Sequence, residues 1–132
     1  MFPCATQNEI DENSIMELIT QRKIRGVFEG ANIPITLKGQ ACLRDYRNKV
    51  IYIPGKAANA GGVGVSGFEI SQNVQRLNWD FGTVDEKLQC MMKNIYDQLV
   101  DVSGEDGSLE VGANQAGFIK LVSAMNDLGW LG

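Results

Sequence analysis

The sequence predicts an α/β fold: a partial parallel sheet with flanking helices, followed by two long C-terminal helices. Three observations predict it. Short apolar runs alternate with helical patterns through residues 1–82. A long apolar stripe at helical spacing then follows, with no further strand pattern. No repeat, low-complexity stretch or linker divides the two parts, so residues 1–132 read as one domain with an α/β part (1–82) and C-terminal helices (83–132).

The elements read in order as follows. MFPCA (residues 1–5) is the first strand run and begins abruptly at Met1. In NSIMELIT (13–20), Ile15, Leu18 and Ile19 fall at helical spacing, and Asp11, Asn13 or Ser14 can cap the helix. GVFEGAN (26–32) is a second short strand, broken by Gly30. Pro34 and Thr36 open a weaker helix, TLKGQACLRDY (36–46), that contains Gly39. VIYI (50–53) is the third strand. PGKAANAGGVGVSG (54–67) comes next, with five Gly and three Ala in fourteen positions, then the helical run FEISQNVQRLNW (68–79). Thr83-Val84-Asp85-Glu86 has the pattern of a capping box. Val84, Leu88, Met91, Met92, Ile95, Leu99 and Val102 mark one face of the helix behind it. SGEDG (103–107) is a polar turn. A last helix from about Asn114 turns Phe118, Leu121, Val122 and Met125 inward, with Gly129 at its C-terminal end. Three parallel strands with both edges open make a poor free-standing domain, so the chain is expected to be the end of something larger.

Composition narrows the functions. The 132 residues are 44% hydrophobic and 21% charged, as in an ordinary globular chain. A net charge of -4 without a Lys/Arg cluster argues against nucleic acid and membrane surfaces as partners. No apolar run is long enough to span a bilayer, and no secretory signal is visible. Cys4, Cys42 and Cys90 are scattered without metal or redox spacing and read as reduced thiols, so a cytoplasmic location is expected. The absence of His removes Ser-His-Asp and Cys-His catalysis and most zinc sites, and no metal is expected.

The small-residue stretch contains a literal G-x-G-x-x-G at Gly62, Gly64 and Gly67. A dinucleotide fingerprint places its first Gly in the turn directly after a strand and an acidic residue at the end of the next strand. Here Gly62 lies well beyond Ile53, and Asp85 opens a helix rather than ending a strand. The match is read as accidental. A P-loop fails as well, because Ala follows Gly55-Lys56. Two readings of the stretch remain. Small residues let a backbone approach a ligand, or let a helix pack closely with no ligand at all. A helix opening near Ala60 presents free N–H groups and a positive dipole end that favour a carboxylate, with Asn59 at its entrance and Ser66 one turn in. PCATQNE (3–9) and EGANIPIT (29–36) also follow strands and carry small and polar residues. Ligands of open α/β sheets lie beyond the carboxyl ends of the strands, so the three loops together suggest a lined cleft.

PCATQNEI, EGANIPIT and PGKAANAGGVGVSGFEISQN, in this order and spacing, resemble hexameric glutamate dehydrogenase. The resemblance continues through RLNW, the DEKL helix and GANQAGFIKLVSAM and covers nearly the whole chain. The related leucine, phenylalanine and valine dehydrogenases rank second. The resemblance implies the later part of a Rossmann-like cofactor domain. It places the substrate domain, the catalytic Lys and Asp and the Gly-rich phosphate turn upstream of Met1, so no catalytic residue is assigned here and the isolated chain is expected to be inactive. It implies NADP, with NAD as the alternative, and reversible oxidative deamination of L-glutamate to 2-oxoglutarate and ammonium by a homo-hexamer. In that family an uncharged Lys activates water on the imino acid. Carried over by position, Ala5, Thr6, Gln7 and Asn32 would bind the cofactor. Asn59, Gly62, Val63 and Ser66 would bind the substrate, Ser66 at its distal carboxylate. Lys56 and Glu29 match the pattern and are assigned structural roles. The family often has Ala or Leu where Gly64 stands. A non-catalytic chain that survives by self-association or by docking on a partner is the competing expectation.

Overall fold

The computed structural model describes residues 1–104 and 107–130. Two parallel strands, β1 (Gly26–Phe28) and β2 (Ile51–Ile53), pair in the register Gly26↔Ile51, Val27↔Tyr52 and Phe28↔Ile53. Helices α1 (Glu12–Thr20) and α2 (Leu37–Asp45) cover them. The core they enclose is Ile15, Ile19, Val27, Ile35, Leu43, Val50 and Tyr52. An isolated parallel bridge, Ile10↔Ile35, continues the sheet direction beside β1.

The expected first strand is not formed as such, and Pro3 gives the reason. Met1 lies against Val27 as a parallel neighbour would: its amino group donates to the Gly26 carbonyl (2.7 Å), and its carbonyl accepts from the Phe28 N–H (3.0 Å). Pro3 accepts from the Gly30 N–H (2.9 Å) but has no N–H to return. Residues 1–5 therefore follow the sheet without completing a ladder.

Local chemistry starts the first two helices as read from sequence. The Asp11 side chain accepts from the Ser14 N–H (2.9 Å) and caps α1. The Thr36 hydroxyl accepts from the Gly39 N–H (3.2 Å) and caps α2. After β2 the small-residue stretch forms a single turn, α3 (Gly55–Ala58), then the long α4 (Ala60–Gln75). Gly62, Gly64 and Gly67 all lie inside α4, not in a strand-to-helix turn.

Helix α5 (Phe81–Val102) begins earlier than the Thr83 pattern predicts. Asp80 is the cap, and its carboxylate takes the Thr83 N–H (2.7 Å), so Thr83 lies within the first turn. The predicted stripe is on the inner face: Leu99 is buried, and Val84, Leu88, Met91, Met92, Ile95 and Val102 are half-buried. The turn at 103–107 lies partly outside the described residues. Helix α6 (Leu109–Asp127) also starts earlier than Asn114, capped by Ser108. Its inner face differs from the one expected. Phe118 and Leu121 are exposed, and Val122 and Met125 are half-buried. The close contact is made by Gly112, where an added Cβ would sit 2.3 Å from the Leu99 carbonyl oxygen. A small residue brings α6 against α5, with Val122 and Met125 half-buried and Phe118 and Leu121 left outside. Gly129, with φ +71°, closes α6 as expected: its N–H donates to Asn126 and that of Trp130 to Met125.

Candidate functional site

The strand ends bring three loops into one row. The loop after residue 3 is tied to the loop after β1 at both ends. The Gly30 and Ala31 N–H groups donate to Pro3 O (2.9 Å each), and the Asn8 N–H donates to Ile33 O (2.9 Å). Ile33 is a β-branched residue at φ +53°, a left-handed conformation that costs on the order of 1–3 kcal/mol and persists only where neighbours fix it. It directly follows Asn32.

The loop after β2 is tied to the same place through Asn59. Its side-chain amide donates to Asn32 Oδ1 (2.8 Å) and to Gly30 O (3.3 Å). A residue assigned to the substrate and a residue assigned to the cofactor are therefore in direct contact. The arrangement leaves the Asn32 amide N–H groups and the Asn59 amide oxygen outside that bond. The Asn32 amide can therefore donate to a carbonyl such as that of a nicotinamide, and the Asn59 oxygen can accept from a substrate ammonium.

Beneath this contact lies Glu29, which is buried although it is charged in type. Oε1 accepts from the Tyr52 hydroxyl (2.9 Å) and Oε2 from the Gly55 N–H (2.7 Å). Burial, and after it the charge of Glu29, holds the Tyr52 phenol well above the usual tyrosine range. Gly55 is required by space: a Cβ there would lie 2.7 Å from Ala31 O. A cleft of about 410 Å³ opens beside these groups, lined among others by Glu29, Asn32, Tyr52, Lys56 and Glu110. Lys56 donates to Asn114 Oδ1, and Arg44 pairs with Glu110 (3.4 Å), so α6 is fastened to the rim. A second hollow of about 490 Å³ shares Tyr52 with this cleft, lies against Leu43, Val50, Tyr96 and Val100, and holds none of the predicted residues.

The remaining predicted residues fall in two groups. Ala5, Thr6 and Gln7 are exposed on the first loop. Gly62, Val63 and Ser66 lie along the first turns of α4, with Val63 73% exposed and open space beside the Gly62 Cα. The Ser66 hydroxyl donates to Gly62 O (3.2 Å), and would have to rotate to donate to a ligand. Of the assigned residues, the structure brings Asn32 and Asn59 into contact; Gly62, Val63 and Ser66 line the adjoining helix. Among the described residues no group of three metal-ligating side chains occurs, and no helix is long and apolar enough to cross a membrane. Tyr52 and the buried role of Glu29 were not read from sequence. The available signal was a single Glu ending an apolar strand, directly before Gly30.

The sequence pattern of the Glutamate/Leucine/Phenylalanine/Valine dehydrogenase family matches residues 1–129. The chain belongs to this family. Among its relatives in the family is the NADP-specific glutamate dehydrogenase of Chlorella sorokiniana, 48% identical over 129 residues, which cover 97% of this chain and 24% of that one. The NADP-specific glutamate dehydrogenase of Escherichia coli (strain K12) is 42% identical over 126 residues, covering 94% and 28%. The solved structure of Plasmodium falciparum glutamate dehydrogenase 2 superposes with a TM-score of 0.86 at 46% identity, covering 97% of this chain and 28% of that one. The chain thus spans about a quarter of the length of these dehydrogenases. The fold they share is compatible with the short parallel sheet, in which β1 pairs with β2 and the run at Met1 lies along β1.

Proposed function

We propose that these residues form the strand-end loops of a glutamate dehydrogenase, on which cofactor and substrate meet. The reaction is the reversible oxidative deamination of L-glutamate to 2-oxoglutarate and ammonium, with NADP as cofactor, in a cytoplasmic homo-hexamer. The contact of Asn59 with Asn32 carries this reading, because it joins the substrate loop to the cofactor loop. Ala5, Thr6, Gln7 and Asn32 hold the cofactor's ribose and nicotinamide. Held there, a nicotinamide would supply the hydride acceptor for the α-carbon of glutamate. Asn59 orients the substrate beside it. Gly62 and Val63 leave room for the substrate chain, and Ser66 donates to its distal carboxylate near the positive end of α4. The names of the Chlorella and Escherichia relatives support NADP.

The test is a chimera in which this chain replaces the matching segment of the Escherichia coli enzyme. Glutamate-dependent NADPH formation is expected. A hydrogen bond to a charged substrate contributes roughly 1.5–3 kcal/mol, so Asn59→Ala is expected to lower kcat/KM on the order of 10- to 100-fold. A folded chimera that prefers leucine, phenylalanine or valine would overturn the substrate assignment.

A further inference from the structure

Glu29 does more than satisfy a buried tyrosine. Its Oε2 takes the Gly55 N–H (2.7 Å), the Gly55 carbonyl takes the Asn59 N–H (2.9 Å), and the Asn59 side chain returns to Gly30 O (3.3 Å), the residue next to Glu29. These bonds close a ring across the ends of β1 and β2. Its outward member is the Asn59–Asn32 bond (2.8 Å). The backbone of Glu29 is itself held, its N–H donating to Ile53 O (3.2 Å). The carboxylate is therefore a fixed peg from which α3 hangs. With 2% of its surface exposed it is screened from solvent, and both oxygens are in use.

We propose that Glu29 is a positioning residue whose reach, not whose charge, sets Asn59 against Asn32; the catalytic consequence rests on the glutamate dehydrogenase reading above. Two substitutions separate reach from charge. In Glu29→Gln the amide oxygen can still accept from Gly55, and the amide nitrogen can donate to the Tyr52 hydroxyl, which accepts as well as donates. Glu29→Asp keeps the charge but withdraws the carboxylate by one C–C bond, ~1.5 Å, too far for a hydrogen bond to Gly55.

Two measurements apply. In the 132-residue chain with exposed Phe118 and Leu121 replaced by Lys to favour the monomer, nitrogen–proton NMR correlations report the Gly55 amide and the Asn59 side-chain amide. Both are expected to shift in Glu29→Asp and to stay near their parent positions in Glu29→Gln. In the chimera, Glu29→Asp is expected to lower kcat on the order of 10- to 100-fold, the scale of a misplaced reacting group, while Glu29→Gln stays within about threefold. Both are assayed well below their melting temperatures, because a merely structural role would lower Tm and leave kcat unchanged. The reverse order, Asp active and Gln inactive, assigns the effect to charge and overturns the proposal. An unmoved Asn59 amide in Glu29→Asp overturns it too. If the parent chimera is inactive, the functional reading falls, and the NMR comparison still decides the positioning.

Discussion

At Gly64 an added Cβ would lie 2.3 Å from Met91 Cε, whereas at Gly62 it would meet nothing within 4 Å. Two positions apart, the same residue type serves different ends. Gly61 and Gly64 turn toward Leu88, Met91 and Met92 and let α4 and α5 approach. Gly62 and Gly67 look into open space. Of the two purposes that spacing leaves open, close packing holds on one face of the helix, and the other face is open. Packing accounts for the first face. On the second, Gly stands where helix propensity favours Ala by about 1 kcal/mol, and the space beside Gly62 is open to the proposed substrate. Gly62→Ala is accordingly expected to raise the unfolding free energy of the chain by up to about 1 kcal/mol in denaturant titration. In the chimera the same change is expected to raise the KM for glutamate on the order of tenfold, ~1.4 kcal/mol of binding. An unchanged KM would remove Gly62 from the cleft. Tyr52 carries a second residue-scale prediction. Its phenol is held above the usual range in the folded chain, by burial first and by Glu29 second. The unfolded chain releases that proton near pH ~10, the folded chain only at higher pH. Stability from this group is therefore complete below pH ~10 and is lost as pH rises beyond it. Tyr52→Phe is expected to flatten the alkaline limb of a Tm-against-pH curve, and an unaltered limb would contradict this account.

Most elements were legible because local rules and tertiary packing agree in them. Asp11 and Thr36 cap where the pattern put them, and the α5 stripe faces inward. The misreadings share a cause: a local pattern was satisfied by another partner. Thr83 to Glu86 has the letters of a capping box, but Asp80 already takes the Thr83 N–H, so the helix starts three residues before the box's capping position permits. At α6 the apolar periodicity places only Val122 and Met125 partly inside, whereas Gly112 makes the approach to Leu99. Hydrophobic periodicity cannot signal an interface built on the absence of a side chain. Of the site, the three loops and the Asn residues were readable from their style and position. The ring through Glu29 was not, because it depends on where Gly55 lies relative to β1. The α6 interface makes a paired prediction. Gly112→Ala adds a Cβ 2.3 Å from backbone oxygen, which no side-chain rotation relieves. It is expected to destabilise by about 1–3 kcal/mol, against the helix preference for Ala. Gly117→Ala, with nothing within 4 Å, is expected to stabilise by about 0.5–1 kcal/mol. Denaturant titration of both variants measures the difference, and equal effects would show that α6 does not dock on α5 through Gly112.

The whole molecule exposes 9050 Å². A compact monomer of this size exposes about 6,900 Å² by the usual scaling of surface with mass. The excess, about 2,000 Å², is more than the roughly 800 Å² that each partner buries in a standard protein–protein interface. Its composition points the same way. Phe81, Trp130, Val74, Leu37 and Phe2 are each more than 70% exposed, spread over α4, α5, α2 and both ends of the described chain. Single exposed apolar residues are ordinary, but this many large ones on a 132-residue chain are not. The core itself is small, seven side chains around a two-stranded sheet. A sheet of that size needs covering on more than one side to be stable. The apolar faces of α4, α5 and α6 are open to a partner surface. Purified alone, the chain is expected to associate at micromolar concentration and to bind a hydrophobic dye such as ANS. Size-exclusion chromatography with light scattering reads the first, and fluorescence titration the second. Replacing Phe118 and Leu121 by Lys, which removes two exposed apolar side chains from α6 without touching its Gly112 contact, is expected to shift the population toward monomer. A dye-silent, cooperatively unfolding monomer of the parent chain would show that this small core suffices by itself, and that the exposed faces need no cover.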